Sequence, residues 1–176
     1  MSSNTKSPIA NPYIIPDPTV NGSTIRKAFV LEAIANLFSI PIITNTRSVL
    51  SAILAHPSRD INSTSILLAR ILGGLVVSGL TSALLVGATN TRNGIESRRP
   101  VYMLLGLGEG ALIPILILDL LEGGGEGAAL SQKAAAGSVA CLVPPLLWRL
   151  YVLFVRPDLF GRYTEETEQG AVKKTT

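Results

Sequence analysis

The chain has very little of what disulfide frameworks, zinc sites and histidine-dependent active sites are built from. Its 176 residues include one cysteine, Cys141, and one histidine, His56. A single cysteine excludes a disulfide within the chain. A single histidine with no cysteine close to it in the sequence supplies neither a set of zinc ligands nor a catalytic triad. We therefore predict no metal site and no cofactor.

Charged residues are also scarce. They make up 15% of the chain, hydrophobic residues make up 47%, and the mean hydropathy is +0.42, which is apolar for a soluble domain. The net charge of +3 comes from residues that flank apolar stretches, so it indicates membrane topology and argues against nucleic-acid binding. No apolar run with a small-residue cleavage site opens the chain, so we expect the first span itself to direct membrane insertion.

What the chain does have is apolar length. Four long apolar stretches fill most of it, at residues 28–44, 65–88, 101–121 and 134–155. Each of the last three has about 20 residues or more, enough to cross a hydrocarbon core of about 30 Å at about 1.5 Å per residue. The lipid bilayer is therefore the first predicted partner, and the predicted fold class is all-α, a polytopic transmembrane four-helix bundle.

The apolar stretches also predict the domain organisation. The transmembrane domain should cover residues 25–156, between a disordered, proline-rich arm at 1–24 and a short tail at 157–176. Residues 48–55 are too few to cross a membrane, so they form either a kinked continuation of the first helix or a short interfacial helix. The sequence from Arg98 to Pro100 is expected to begin the third helix.

Basic residues predict the orientation. Ten lie in the arm, the second connection and the tail, against three in the first and third connections, so both termini should be cytosolic. Tyr102, Trp148 and Tyr151 lie near the same ends, where aromatic side chains favour the headgroup region. Lys173 and Lys174 resemble a dilysine retrieval signal, which predicts recognition by a coat complex and residence in the endoplasmic reticulum membrane.

Four charged residues, Glu32, Arg70, Glu109 and Arg149, interrupt the apolar stretches. A charge in the middle of a membrane costs about 2.5 kcal/mol or more, so each needs a partner or a use. Counted from the cytosolic surface, Glu32, Arg149 and Glu109 lie about 6, 9 and 12 Å deep, in one layer. We expect Arg70 to pair with Asp119 near the opposite surface, in a structural role.

Two carboxylates that share one guanidinium leave one negative charge over, so one of them should hold a proton at neutral pH. Glu109 is the deepest, and we predict that it is the general acid. Glu32 would act as base or modulator, and Arg149 would stabilise charge. Asn36 follows Glu32 by four residues on the same helical face and would orient the substrate. In the structural alternative, the cluster only fixes the register of the helices.

Three segments of the chain are similar to known proteins: residues 25–36 (IRKAFVLEAIAN), residues 93–102 (NGIESRRPVY), and residues 106–114, which begin GLGEG. Through them the chain resembles the small four-span integral membrane proteins of filamentous fungi. Some of those are encoded beside secondary-metabolite genes, so the resemblance implies a lipophilic substrate such as a terpenoid. The chemistry also resembles that of fungal membrane-bound terpene cyclases, which use intramembrane carboxylates as acids but have more spans.

Two kinds of function remain open from the sequence. The first is an enzyme of cyclase or isomerase type that acts on a lipophilic small molecule by proton transfer. The second is a non-catalytic membrane assembly factor, or a subunit of a membrane complex. Ion transport is less favoured, because four spans leave little room for a pathway.

Overall fold

The computed structural model describes residues 14–122 and 127–165. The predicted signal at Lys173 and Lys174 and the first half of the predicted arm lie outside the described residues.

The described part of the chain is almost entirely helical, and the predicted fold class is confirmed. The α-helices are α1 (Ser23–Asn36), α2 (Ile40–Thr44), α3 (Thr46–Ile53), α4 (Pro57–Asp60), α5 (Ser63–Gly74), α6 (Thr81–Ala88), α7 (Arg92–Leu121) and α8 (Gln132–Leu150). A 3-10 turn at Leu37–Ser39 joins α1 to α2, and a π-helical segment at Leu75–Leu80 joins α5 to α6. A second π-helical segment, Tyr151–Val155, extends α8 and is followed by a 3-10 turn at Pro157–Phe160.

Within residues 14–122 and 127–165, four helical runs are long and apolar enough to cross a membrane. They are Ser23–Thr44, Ser63–Ala88, Arg92–Leu121 and Gln132–Val155, here called the first to fourth spans. Each contains one of the four predicted stretches. Large apolar side chains remain exposed on the outside of these spans, for example Leu107 at 72%, as expected where lipid surrounds a bundle. The chain is a multi-pass membrane protein.

The helix of the third span, α7, begins earlier than the sequence predicts. The Thr91 hydroxyl accepts a hydrogen bond from the Gly94 backbone N–H at 3.1 Å, which caps α7 so that the helix begins at Arg92. The prediction that it begins at Arg98 to Pro100 is therefore wrong: Pro100 lies inside the helix, despite the backbone hydrogen bond that it cannot make. As a consequence, Arg98 lies on α7 and not in a connection.

The short apolar segment after the first span is a separate helix. The chain breaks at Asn45, with φ −121° and ψ 39°, and α3 follows and packs against α5. The Thr46 hydroxyl at the start of α3 donates to the Ile42 carbonyl at 2.7 Å. The continuation of the first helix through residues 48–55 is therefore not observed.

Two short strands bring together the ends of the described chain. Strand β1 (Ile14–Pro16) pairs antiparallel with β2 (Tyr163–Glu165), with Ile15 opposite Thr164. Both ends therefore lie at one end of the bundle. Strand β1 belongs to the predicted arm, and its partner strand lies in the tail, a pairing that composition alone does not reveal.

The buried core is concentrated at this same end. Its members come from α1, α6, α7 and the segment after α8: Ile25, Phe29, Ala33, Leu84, Tyr102, Val152 and Phe160. Phe29 and Phe160 pack edge-to-face against the Tyr102 ring, with ring centroids 5.1 and 5.5 Å away, a favourable geometry for aromatic pairs. This packing fixes the Tyr102 ring in the interior.

Candidate functional site

Three charged residues from three spans meet in the interior, as their depths predicted. Arg149, near the end of α8, has a side chain only 4% exposed. Its Nη2 donates to Glu32 Oε2 on α1 at 2.6 Å, and its Nη1 donates to Glu109 Oε1 on α7. One guanidinium therefore holds both carboxylates, and the three residues are called the acid–arginine cluster below.

An aromatic pair lies beside the cluster. The guanidinium carbon of Arg149 is 5.8 Å from the centroid of the Tyr102 ring, within the range of a cation–π interaction. The Tyr102 hydroxyl accepts a hydrogen bond from Trp148 Nε1 at 3.0 Å. The sequence placed Tyr102 near the headgroup region, but its side chain is completely buried, because Phe29 and Phe160 pack against its ring. Arg149 thus contacts acids through its nitrogens and a π face through its carbon.

Two polar atoms of the cluster are buried and have no hydrogen-bond partner among the described residues: Glu109 Oε2 and Arg149 Nε. An ionised carboxylate oxygen that is buried without a donor is costly. If both acids were ionised, the cluster would carry one excess negative charge. A proton on Glu109 Oε2 removes that charge and turns an unmet acceptor into a donor, so the arrangement can store one transferable proton.

The two acids differ in exposure. The Glu109 side chain is 11% exposed and that of Glu32 is 23% exposed. Beside Glu109, a Cβ added at Gly110 would meet no atom within 4 Å, and one at Gly106 would only reach ordinary contact with Arg149 at 3.9 Å. The chain therefore carries no side chain beyond Cα about one turn before the more buried acid or directly after it.

Asn36 does not join the cluster. It is the last residue of α1, is half-buried, and hydrogen-bonds through its side chain to none of the residues that the structure describes. Its role in orienting a substrate stays a prediction.

The expected pair of Arg70 and Asp119 is not formed, and that prediction is wrong. Arg70 Nε donates to the Thr46 hydroxyl at 3.2 Å. The Asp119 carboxylate accepts from the backbone N–H groups of Ala129 and Leu130 at 2.7 and 3.1 Å. These backbone donors belong to the loop that leads to α8. They satisfy the Asp119 carboxylate in place of the Arg70 guanidinium.

A further charged residue, Arg98, is buried but was not predicted to be from the sequence. Its side chain is fully buried two turns into α7. Its Nε donates to the Gly87 carbonyl at 2.9 Å and its Nη1 donates to the Phe160 carbonyl at 2.6 Å. Its Nη2 donates to the Thr89 carbonyl at 2.9 Å and to Asn90 Oδ1 at 3.1 Å. Within the described residues no carboxylate pairs with it, so neutral oxygens from two segments satisfy the guanidinium.

Two glycines make room for Arg98. Gly22 and Gly161 have φ of 66° and 85°, values that non-glycine residues rarely adopt. A Cβ added at either would lie 2.2 or 2.8 Å from Arg98 Nη1. The sequence contains both glycines, but no local pattern connects them to an arginine in another span. Arg98 acts as a structural anchor between the start of α1, the end of α6 and the segment after α8.

In the ranges 14–122 and 127–165, no group of three or more His, Cys, Asp or Glu residues is arranged to hold a metal ion. Comparison with known proteins gives no relative: no protein-family model matches the chain, and no curated protein or solved structure is significantly similar to it. The acid–arginine cluster is therefore the basis for a functional proposal.

Proposed function

We propose that this protein is a membrane enzyme of cyclase or isomerase type that acts on a lipophilic small molecule by proton transfer. The observation that carries the proposal is Glu109 Oε2, a buried carboxyl oxygen with no hydrogen-bond partner among the described residues, in a cluster of two acids and one arginine. General acids are commonly placed in such surroundings, where burial and a neighbouring acid favour the protonated carboxyl.

In this mechanism Glu109 gives its proton to a double bond or an oxygen of the substrate and becomes a carboxylate. Arg149 already donates to the other oxygen of Glu109, so it stabilises the negative charge at the moment of transfer. Glu32, on the second arm of the same guanidinium, accepts the proton that the rearranged substrate loses. Return of that proton to Glu109 closes the cycle with no net gain or loss of protons.

The surroundings of Glu109 favour a lipophilic substrate. Gly110 and Leu107 on the same helix are exposed, and this outer surface of α7 belongs to a span apolar enough to face hydrocarbon. A substrate dissolved in the bilayer would approach this surface of α7 without crossing water. The resemblance of the chain to fungal four-span proteins suggests that the substrate belongs to a secondary-metabolite pathway.

The test is Glu109→Gln, which keeps shape and hydrogen bonding but removes the titrating group. Glu96→Gln on the same helix is the matched control, because Glu96 is exposed and contacts Arg92 and Tyr163, outside the cluster. In a host that carries the rest of the pathway, we expect Glu109→Gln to keep normal abundance and to abolish the product. Glu32→Gln should reduce the product less, and Glu96→Gln should leave it unchanged. Full product from Glu109→Gln would exclude the mechanism.

One observation favours the alternative of a non-catalytic assembly factor or complex subunit. Arg149 on α8 forms ion pairs with Glu32 on α1 and Glu109 on α7. These ion pairs alone would fix the register of the three helices, so the buried cluster would need no catalytic role. In that case Glu109→Gln should lower abundance, or release a co-purifying partner, and leave the metabolites unchanged.

For location, we propose the endoplasmic reticulum membrane with both termini cytosolic. The excess of basic residues on the arm, second connection and tail supports the orientation. The paired strands β1 and β2 place both described ends on one side. The dilysine-like Lys173 and Lys174 support retrieval to this compartment by a coat complex.

A further inference from the structure

We propose that a groove beside the first span binds one anionic phospholipid. The groove lies on α1 next to Ala88 at the end of α6 and has a volume of about 410 Å³. It is distinct from the acid–arginine cluster, since neither Glu32, Glu109 nor Arg149 lines it.

One end of the groove carries uncompensated positive charge. Arg26 and Lys27 line it, and Arg26 Nε donates to the Ala88 carbonyl at 2.7 Å, which holds the guanidinium against the end of α6. No described carboxylate forms an ion pair with either residue. The nearest acid along α1, Glu32, is already engaged, since it pairs with Arg149.

The buried Arg98 adds to this charge. Arg98 Nε donates to the Gly87 carbonyl and Arg26 Nε to the next carbonyl, that of Ala88, so the two positive charges lie at the same end of α6 and repel each other. The hydrogen-bond partners of Arg98 are uncharged oxygens. An anionic headgroup at Arg26 and Lys27 would relieve that repulsion. A zwitterionic headgroup would do so less well, because it brings its own ammonium group.

The other part of the groove is apolar. Val30 and Leu31 lie about one helical turn beyond Arg26 and Lys27, Ile34 lies about one turn further along α1, and all three are exposed. Because α1 begins the first span, this wall extends from the membrane surface into the hydrocarbon. A phosphate at one end and acyl chains along the other match the two parts of a glycerophospholipid. Soluble phosphate would use only the first part.

The test is native mass spectrometry of the purified full chain in detergent, with phosphatidylserine and phosphatidylcholine of identical acyl chains as probes. We expect one retained phosphatidylserine and at least five-fold weaker retention of phosphatidylcholine. Lys27→Gln should weaken phosphatidylserine binding by about five-fold, the usual effect of one basic residue at an anionic membrane surface. Arg99→Gln is the matched control, because Arg99 is exposed on α7 and does not line the groove; it should change nothing.

A second variant tests the apolar part separately. Val30→Trp fills the groove and keeps both cations, so it should also lower lipid retention, with an unchanged elution volume in size-exclusion chromatography showing that the bundle is intact. Equal retention of the two lipids, or equal losses in Lys27→Gln and Arg99→Gln, would overturn the proposal in favour of a diffuse surface charge. Unimpaired binding in Val30→Trp, or full competition by soluble glycerophosphoserine, would show a phosphate site without a lipid.

Discussion

Arg98 and Arg99 are neighbours in the sequence, but the structure gives them opposite environments. Arg99 is exposed, and Arg98 is fully buried and donates to four oxygens. Arg98→Ala would leave backbone carbonyls without donors, at a cost of about 1–3 kcal/mol for each stranded group. We expect a lower thermal midpoint and less monodisperse protein in detergent, whereas Arg99→Ala should behave like the wild type. Equal stability of the two variants would contradict the anchoring role.

Single residues also show most clearly which contacts can be predicted from the sequence and which cannot. The meeting of Glu32, Glu109 and Arg149 could be predicted, because a charge in an apolar span must find an opposite charge at its own depth. Depth fixes only one coordinate, however. Arg70 and Asp119 matched in depth, yet the structure gives each a different partner. The burial of Arg98 could not be predicted, because three of its four acceptors are backbone carbonyls, which every residue carries.

At the scale of helices, α1 and α6 pack closely because α6 has a glycine at their contact. A Cβ added at Gly87 would lie 2.6 Å from a ring carbon of the buried Phe29. Gly87→Ala should therefore push α1 and α6 apart, at a cost of about 1–3 kcal/mol typical of overpacking. Gly74→Ala is the control, since a Cβ there meets nothing within 4 Å. Thermal unfolding in detergent should show a lower midpoint only for Gly87→Ala; equal midpoints would mean that the contact is loose.

The spans themselves could be predicted from the sequence because each is recognised by the summed hydropathy of about 20 residues, so a few polar residues do not change the prediction. Helix ends could not, because they depend on single polar contacts. The hydroxyl of Thr91 moves the start of α7 two turns ahead of Pro100, and Asn45 separates α3 from α2. The strand pairing of residues 14–16 with the tail depends on a contact between distant segments, which no local pattern contains.

For the whole molecule, the proposed location gives a direct test. Replacement of both Lys173 and Lys174 by serine should release the protein from the endoplasmic reticulum to later compartments, because the coat complex would no longer recognise the tail. Replacement of Lys133, an exposed basic residue in the first turn of α8, is the control and should not change location. Fluorescence microscopy measures the result. Unchanged location would remove the retrieval proposal, and a protease-protected C-terminal tag in sealed microsomes would reverse the proposed topology.

The hydrogen bond from Arg98 to the Phe160 carbonyl has a consequence for biosynthesis. The two residues are 62 positions apart, so a ribosome that adds about 5–20 residues per second needs roughly 3–12 s to make the acceptor after the donor. Throughout that interval the guanidinium has been synthesised without one of its native partners. Until translation of the fourth span is complete, the Arg98 guanidinium therefore needs hydrogen bonds to the insertion machinery or to water at the membrane surface.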